Sequence, residues 1–151
     1  ARFAADLAAS GQHLAGAVQH DIECAPDGAC DMDLQILPRG PVVRISQSLG
    51  PDSTGCRLDP AALEQAVALT EAQLTAQPPD LLILNKFGKH EGDGRGFRST
   101  IALALERDIP VLTGVNSANF AAFQAFTGGL AKDAGQTLAA LNSWARRSQP
   151  A

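Results

Sequence analysis

The chain has 151 residues, 45% hydrophobic and 19% charged, with 12 basic against 16 acidic side chains for a formal net charge of −4. This is the composition of a globular domain with a substantial core, and its acidic balance argues against broad nucleic-acid binding. No apolar run approaches the roughly 20 residues that cross a bilayer, and no charged segment leads into an apolar one as in a signal peptide. Membrane insertion is therefore not expected, and cytoplasm is the default compartment.

Taken in chain order, Phe3 to Ala9 is Ala-rich with helical patterning, and Gly11 stops it. Leu14 to Gln19 reads as a buried strand that ends at Gln19 and His20, and residues 21–30 form a polar loop. Met32 to Leu37 alternates apolar and polar residues, as a half-exposed strand does. Pro38-Arg-Gly-Pro41 turns the chain, and Val42 to Ile45 is an antiparallel return strand. After a loop from Ser46 to Leu58, Asp59 and Pro60 supply a capping carboxylate and a first-turn proline. The helix they start carries Leu63, Ala66, Val67, Thr70 and Leu74 on one face and stops at Pro78-Pro79.

Leu81 to Leu84 is a short apolar run suited to a strand covered on both faces. It is followed abruptly by Asn85, Lys86 and Lys89 and a glycine-spaced loop to Arg95 and Arg98. A helix from about Phe97 to Glu106 turns Ile101, Ala104 and Leu105 inward. Pro110 to Val115 is another buried strand, ending at Asn116 and Ser117. Two helical segments split by Gly128-Gly129 complete the chain, the last with Leu138, Leu141 and Trp144.

Strands alternating with helices predict one α/β domain over residues 1–151: a three-layer, mostly parallel sheet with helices on both faces, right-handed crossovers and one antiparallel hairpin. On that layout Gln19-His20, Asn85-Lys86 and Asn116-Ser117 emerge on one sheet edge, where ligands of open α/β sheets bind.

The chemistry concentrates after residue 84. Lys86, Lys89, Arg95 and Arg98 alternate with Gly88, Gly92, Gly94 and Gly96. Glycines let backbone N–H groups approach an oxyanion, and the helix start near Phe97 offers further free N–H groups. Lys86 directly follows an apolar strand, so burial is expected, and a buried ammonium needs an anionic partner. The competing reading is a solvated loop whose cations pair with Glu91 and Asp93. Ser53, Thr54 and Arg57 form a second candidate segment, able to complete the same anion pocket or simply to cap a helix. Arg57 directly follows Cys56, so the phosphatase spacing between nucleophile and Arg is absent. No Walker A sequence occurs, and His13, His20 and His90 show neither triad nor metal spacing. Cys24 and Cys30 flank a turn sequence and could pair, act as ordinary thiols, or contribute to zinc binding, which would need two further ligands.

These residues also carry a resemblance. Ile45-Ser-Gln-Ser-Leu-Gly50, Ser53-Thr-Gly-Cys-Arg-Leu-Asp59, and Asn85-Lys-Phe-Gly-Lys-His-Glu91 with Gly94-Arg-Gly-Phe-Arg98 together resemble a bacterial domain family of unknown function. Its members are often labelled molybdenum-transport-related ATP-binding proteins. More distantly, the layout is similar to small P-loop nucleoside triphosphatases of the thermophile phosphatase-like group. There a strand ends in Asp-Glu-Ile-Gly-x-Met-Glu, and residues 85–91 resemble that motif with Asn and Lys in place of the two acids. The resemblance implies a degenerate P-loop-like fold without its magnesium ligand and catalytic base. It also implies a strand and phosphate loop ahead of residue 1, because the chain begins inside what resembles the first helix.

The expected function is binding of a nucleotide or a phosphate- or molybdate-like oxyanion, with no resident metal. Ser53, Thr54 and Asn85 would supply hydrogen bonds, and Arg57, Lys86, Lys89, Arg95 and Arg98 the charge. Two alternatives stand beside it. One is a nucleoside triphosphatase with Glu91 as base; the other is an interaction module in molybdenum homeostasis that meets molybdenum-transport or cofactor proteins through its cationic loop. A homo-oligomer is compatible with each.

Overall fold

The computed structural model describes residues 1–20, 30–50 and 57–148. In chain order these form α1 (Arg2–Ala9), β1 (Leu14–His20), β2 (Asp33–Leu37), β3 (Val42–Arg44), α2 (Pro60–Ala76) and β4 (Leu81–Phe87). There follow α3 (Lys89–Gly92), α4 (Arg98–Glu106), β5 (Val111–Val115), a 3-10 turn (Ser117–Asn119), α5 (Phe120–Thr127) and α6 (Leu138–Ser148). The strands make one five-stranded sheet in the order β3-β2-β1-β4-β5. β1 pairs parallel with β4 and β4 with β5, whereas β2 runs antiparallel to both β1 and β3. Only β2 is reversed, so the sheet is mostly parallel and contains the expected hairpin.

Alternation along the central strands divides the core. Leu82 and Leu84 of β4, with Ala15 and Ala17 of β1, face a cluster built from α2 and α4, to which Phe123 and Phe126 of α5 add. Leu81 and Ile83, with Leu14 and Val18, face α1 and α6. The result is the expected three layers. Helix α2 starts where its sequence says it should: Asp59 accepts hydrogen bonds from Ala61 and Ala62 N–H, with Pro60 in the first turn. Its buried residues are Leu63, Ala66, Val67, Thr70 and Leu74, the stripe read from spacing. No helix among the described residues is long and apolar enough to cross a membrane.

Three expectations need correction. Strand β5 is half-buried to exposed along its length rather than buried, because as an edge strand it has only one neighbour in the sheet. Leu105 is 53% exposed. The inward stripe of α4 is Thr100, Ile101 and Ala104, and Leu105 lies a further 100° or so around the helix from Ala104. Thr100 is tolerated inside because its hydroxyl donates to Glu71 Oε1 at 2.9 Å. Finally, the segment read as an unbroken loop after residue 84 contains three more strand residues than expected, Asn85 to Phe87, and the one-turn helix α3.

Gly16 marks the closest approach of β1 to β4. It lies opposite Ile83 with φ +134°, and a Cβ there would overlap the Ile83 carbonyl. Both the backbone conformation and the space demand glycine. Gly16→Ala is expected to destabilise the domain by roughly 2–4 kcal/mol, read as a lower midpoint in urea unfolding at unchanged slope.

Candidate functional site

The candidate site begins at an irregularity in β4. Leu84 pairs with Thr113 and Phe87 with Val115, so three residue steps on β4 span two on β5. An extra residue of this kind bends a strand and re-aims its side chains. Regular alternation would send Asn85 and Lys86 to opposite faces; here both are exposed, and Phe87 returns to the core at 1% exposure. The Phe87 ring meets Phe123 edge-on at 5.4 Å and stacks on Phe126 at 5.6 Å, which fixes the far end of the irregularity. The expected burial of Lys86 is therefore overturned. Its ammonium stands in solvent and needs no partner for the fold to tolerate it.

The following loop is shaped by Glu91, which is 4% exposed. Glu91 Oε2 accepts from Gly88 N–H at 2.9 Å, and Oε1 accepts from Phe97 N–H at 3.1 Å. One carboxylate thus caps α3 and clamps the entry to α4. The loop glycines spend their N–H groups inside the protein: Gly88 on Glu91, Gly92 on the Gly88 carbonyl, Gly94 on the Glu91 carbonyl, and Gly96 on Glu64 Oε1. The expectation that these glycine amides cradle a ligand oxyanion does not hold, because protein carboxylates and carbonyls already occupy them, and Glu91 also takes the Phe97 N–H at the start of α4. The glycines serve conformation instead. Gly94 and Gly96 have φ +85° and +60°, and a Cβ on Gly96 would overlap Glu91 Oε1.

The predicted cations separate into two groups. Arg98 is held internally: Nη1 donates to the Glu91 and Gly92 carbonyls, each at 3.4 Å, and the guanidinium lies 4.8 Å from the Phe126 ring centre. Arg95 makes an open ion pair with Asp93 at 3.8 Å, with both side chains about half exposed. Lys86 and Lys89 are exposed and have no hydrogen-bond or ion-pair partner among the described residues. Beside them, Asn85 joins β4 to β1. Gln19 N–H donates to Asn85 Oδ1 at 3.3 Å, and Asn85 Nδ2 donates to Gln19 Oε1 at 3.1 Å.

Arg57 lies elsewhere on the same sheet edge. It follows the β3 side of the sheet, three strand spacings or roughly 14 Å from β4. There Nη1 donates to the Cys30 carbonyl at 2.7 Å, and Nη2 is 3.7 Å from Asp31 Oδ1. Asp31 and Asp33 both bind Arg44, whose pKa is raised by the Asp33 hydrogen bond and then by the charges of the two acids. Arg57 thus braces an acidic patch and is not gathered with residues 85–98. Ser53 and Thr54 lie outside the described residues, as does Cys24. Cys30 is disulfide-bonded, which removes it as a zinc ligand and sets it apart from the reduced thiols expected in cytoplasm. Asn116 is a cap, its Oδ1 accepting from Asn119 N–H at 3.0 Å.

Sequence reasoning missed Gln19 as a partner for Asn85, Glu64 as the acceptor for Gly96, and Phe126 as the face for Arg98. For Glu91 a partial signal existed: it stands three residues after Gly88, the position from which a Glu side chain reaches back to the cap N–H, with no cap side chain to reciprocate.

The profile of a family described as "Protein of unknown function (DUF2478)" matches residues 1–144. The chain belongs to this family. It is also 41% identical over 133 residues to a protein of Bradyrhizobium diazoefficiens named molybdenum import ATP-binding protein ModC 2. That match covers 86% of this chain but only 14% of the Bradyrhizobium protein. No solved structure matches the chain.

Removing the clamp and removing the free cations should differ sharply in their effect on folding. Glu91→Ala leaves two buried amides unsatisfied and is expected to lower stability by about 2–4 kcal/mol. Lys86→Ala and Lys89→Ala should each change it by no more than about 0.5 kcal/mol. Chemical denaturation of the three variants measures both expectations.

Proposed function

We propose that this domain binds a small anionic ligand, a nucleotide or a tetrahedral oxyanion, through side chains at the carboxyl edge of β4, without hydrolysing it. The observation that carries the reading is the pair Lys86 and Lys89, exposed and unpaired among the described residues beside the irregular end of a central strand. Ligands of open α/β sheets bind at such edges. Asn85 adds directional donors, and Arg95 can exchange its long contact with Asp93 for a ligand. Arg98 contributes background charge and holds the loop. Ser53, Thr54 and Arg57 take a secondary place in this reading, approaching only a ligand long enough to cross several strands. The relative's name, with "molybdenum" and "ATP-binding" in it, supports both ligand classes. The parallel run of β1, β4 and β5 between helical layers supports a degenerate P-loop-like origin for the fold.

The burial of Glu91 supports binding over hydrolysis. Both of its oxygens accept backbone N–H groups, so the carboxylate is committed to the loop rather than to activating water. A second reading, the interaction module, is favoured by one fact: the matched region is 14% of the relative, so the ATP-binding in that protein's name can reside in the remainder.

Titration calorimetry with molybdate, sulfate and ATP tests the proposal. Binding should weaken by about tenfold or more in the Lys86→Ala/Lys89→Ala double variant, with folding checked by the same denaturation measurement. Phosphate release from ATP should stay at background with or without magnesium. Failure of all these anions to bind would reject the proposal and favour the interaction module.

A further inference from the structure

The two ends of the sheet are protected unequally. At one end β3 carries the exposed Arg44, which pairs with Asp31 and Asp33, and charge on an edge strand discourages pairing with another chain. At the other end stands β5, inside a stretch from residue 109 to residue 131 that holds no charged side chain. β1 buries Leu14 to Val18 and β4 buries Leu81 to Leu84, whereas every residue of β5 is half-buried or exposed. An uncharged, apolar edge of this kind is a template for a further strand.

The groups that β5 offers follow from its pairing with β4. Leu82 pairs with Val111, and its N–H donates to the Pro110 carbonyl at 2.9 Å. In a parallel ladder a residue bonds to those before and after its partner, so Pro110, Leu112 and Gly114 turn toward β4. Val111, Thr113 and Val115 then direct their N–H and C=O groups to the open side. Val111 packs against the cluster under α2 and α4, and Leu112 against the one under α1 and α6. Alternation therefore places Thr113 and Val115 on the face of Val111, and Gly114 on that of Leu112.

We propose that β5 is the contact between two copies of this chain, pairing antiparallel with itself about a twofold axis at Thr113. This is the one antiparallel register that pairs all five residues of the strand. It sets the two Thr113 residues opposite each other and Val111 opposite Val115 of the second copy. Each of these pairs uses outward-facing backbone groups and joins two β-branched side chains, which suit adjacent strands. On the other face Leu112 meets Gly114 of the second copy, a large side chain against the space a glycine leaves. That self-match favours a second copy over an unrelated strand. Charge does so too: each copy carries a net −4, and an uncharged stretch lets the two meet without opposing like charges.

Sedimentation equilibrium of the 151-residue chain should show a dimer at about 100 micromolar. Thr113→Lys sets two ammonium groups against each other at the axis and should weaken the dimer by at least about tenfold. Thermal melts check that the variant folds, and Thr113→Glu takes its place if it does not. Oxidised glutathione should link Thr113→Cys into a covalent dimer, because directly opposed residues lie about 5.5 Å apart, within disulfide reach. Val111→Cys faces Val115 of the second copy rather than itself, so it should cross-link no more than the unsubstituted chain, which controls for the native cysteines. Dimerisation that neither charged variant weakens, or equal cross-linking at positions 111 and 113, would overturn the proposal. A chain that stays monomeric at that concentration would also overturn it, and would leave the edge to a strand from outside these residues.

Discussion

The buried carboxylate of Glu91 is the constraint on which the candidate site depends. It accepts N–H groups from both ends of the segment between β4 and α4, so the chain from Gly88 to Phe97 closes on a single side chain. A carboxylate bound by backbone amides makes charge-assisted hydrogen bonds, stronger than neutral ones, and here both lie out of reach of water. The surrounding glycines follow from this clamp: Gly96 must lack a Cβ because Glu91 fills that space. With Glu64 on Gly96 N–H, the protein supplies its own anions to a loop whose composition suggests an anion cradle. The glycine amides are thereby spent inside the protein, and the exposed donors of this edge include the Lys86 and Lys89 side chains.

The sheet presents those side chains through a local failure of its own periodicity. A regular β4 would send Asn85 and Lys86 to opposite faces; with the extra residue both stand exposed, and Phe87 returns to the core immediately after them. Rigid strands on either side hold the irregular stretch, and the Asn85–Gln19 pair ties it to β1. Position is thus set by the sheet, and exposure by the bulge.

Much of the fold was legible in the sequence because local signals coincided with global packing. Asp59-Pro60 marked a helix start, the spacing from Leu63 to Leu74 marked its buried face, and alternation with a Pro-Gly turn marked the hairpin. The candidate site was legible in location but not in polarity. Counting Lys, Arg and Gly in residues 85–98 identified the edge, yet not which N–H groups were already taken, since Glu64 acts from 32 residues away. Lys86 was misjudged because the burial of the apolar run was extended past Leu84 into a bulge, which depends on pairing with β5 and has no local signature. β5 was misjudged because burial of an edge strand depends on which neighbours the chain supplies, and Leu105 because it lies off the inward stripe of Thr100, Ile101 and Ala104.

The seat of Arg98 ties the charge of this edge to the docking of a neighbouring helix. Helix α5 has no fully buried residue, so its docking relies on Phe123 and Phe126 against Phe87. The Arg98 guanidinium has two supports: the Phe126 face of α5 and two long bonds to carbonyls at the end of α3. The charge presented at the end of β4 is therefore coupled to the seating of α5, because one of its guanidinium groups is held partly by that helix.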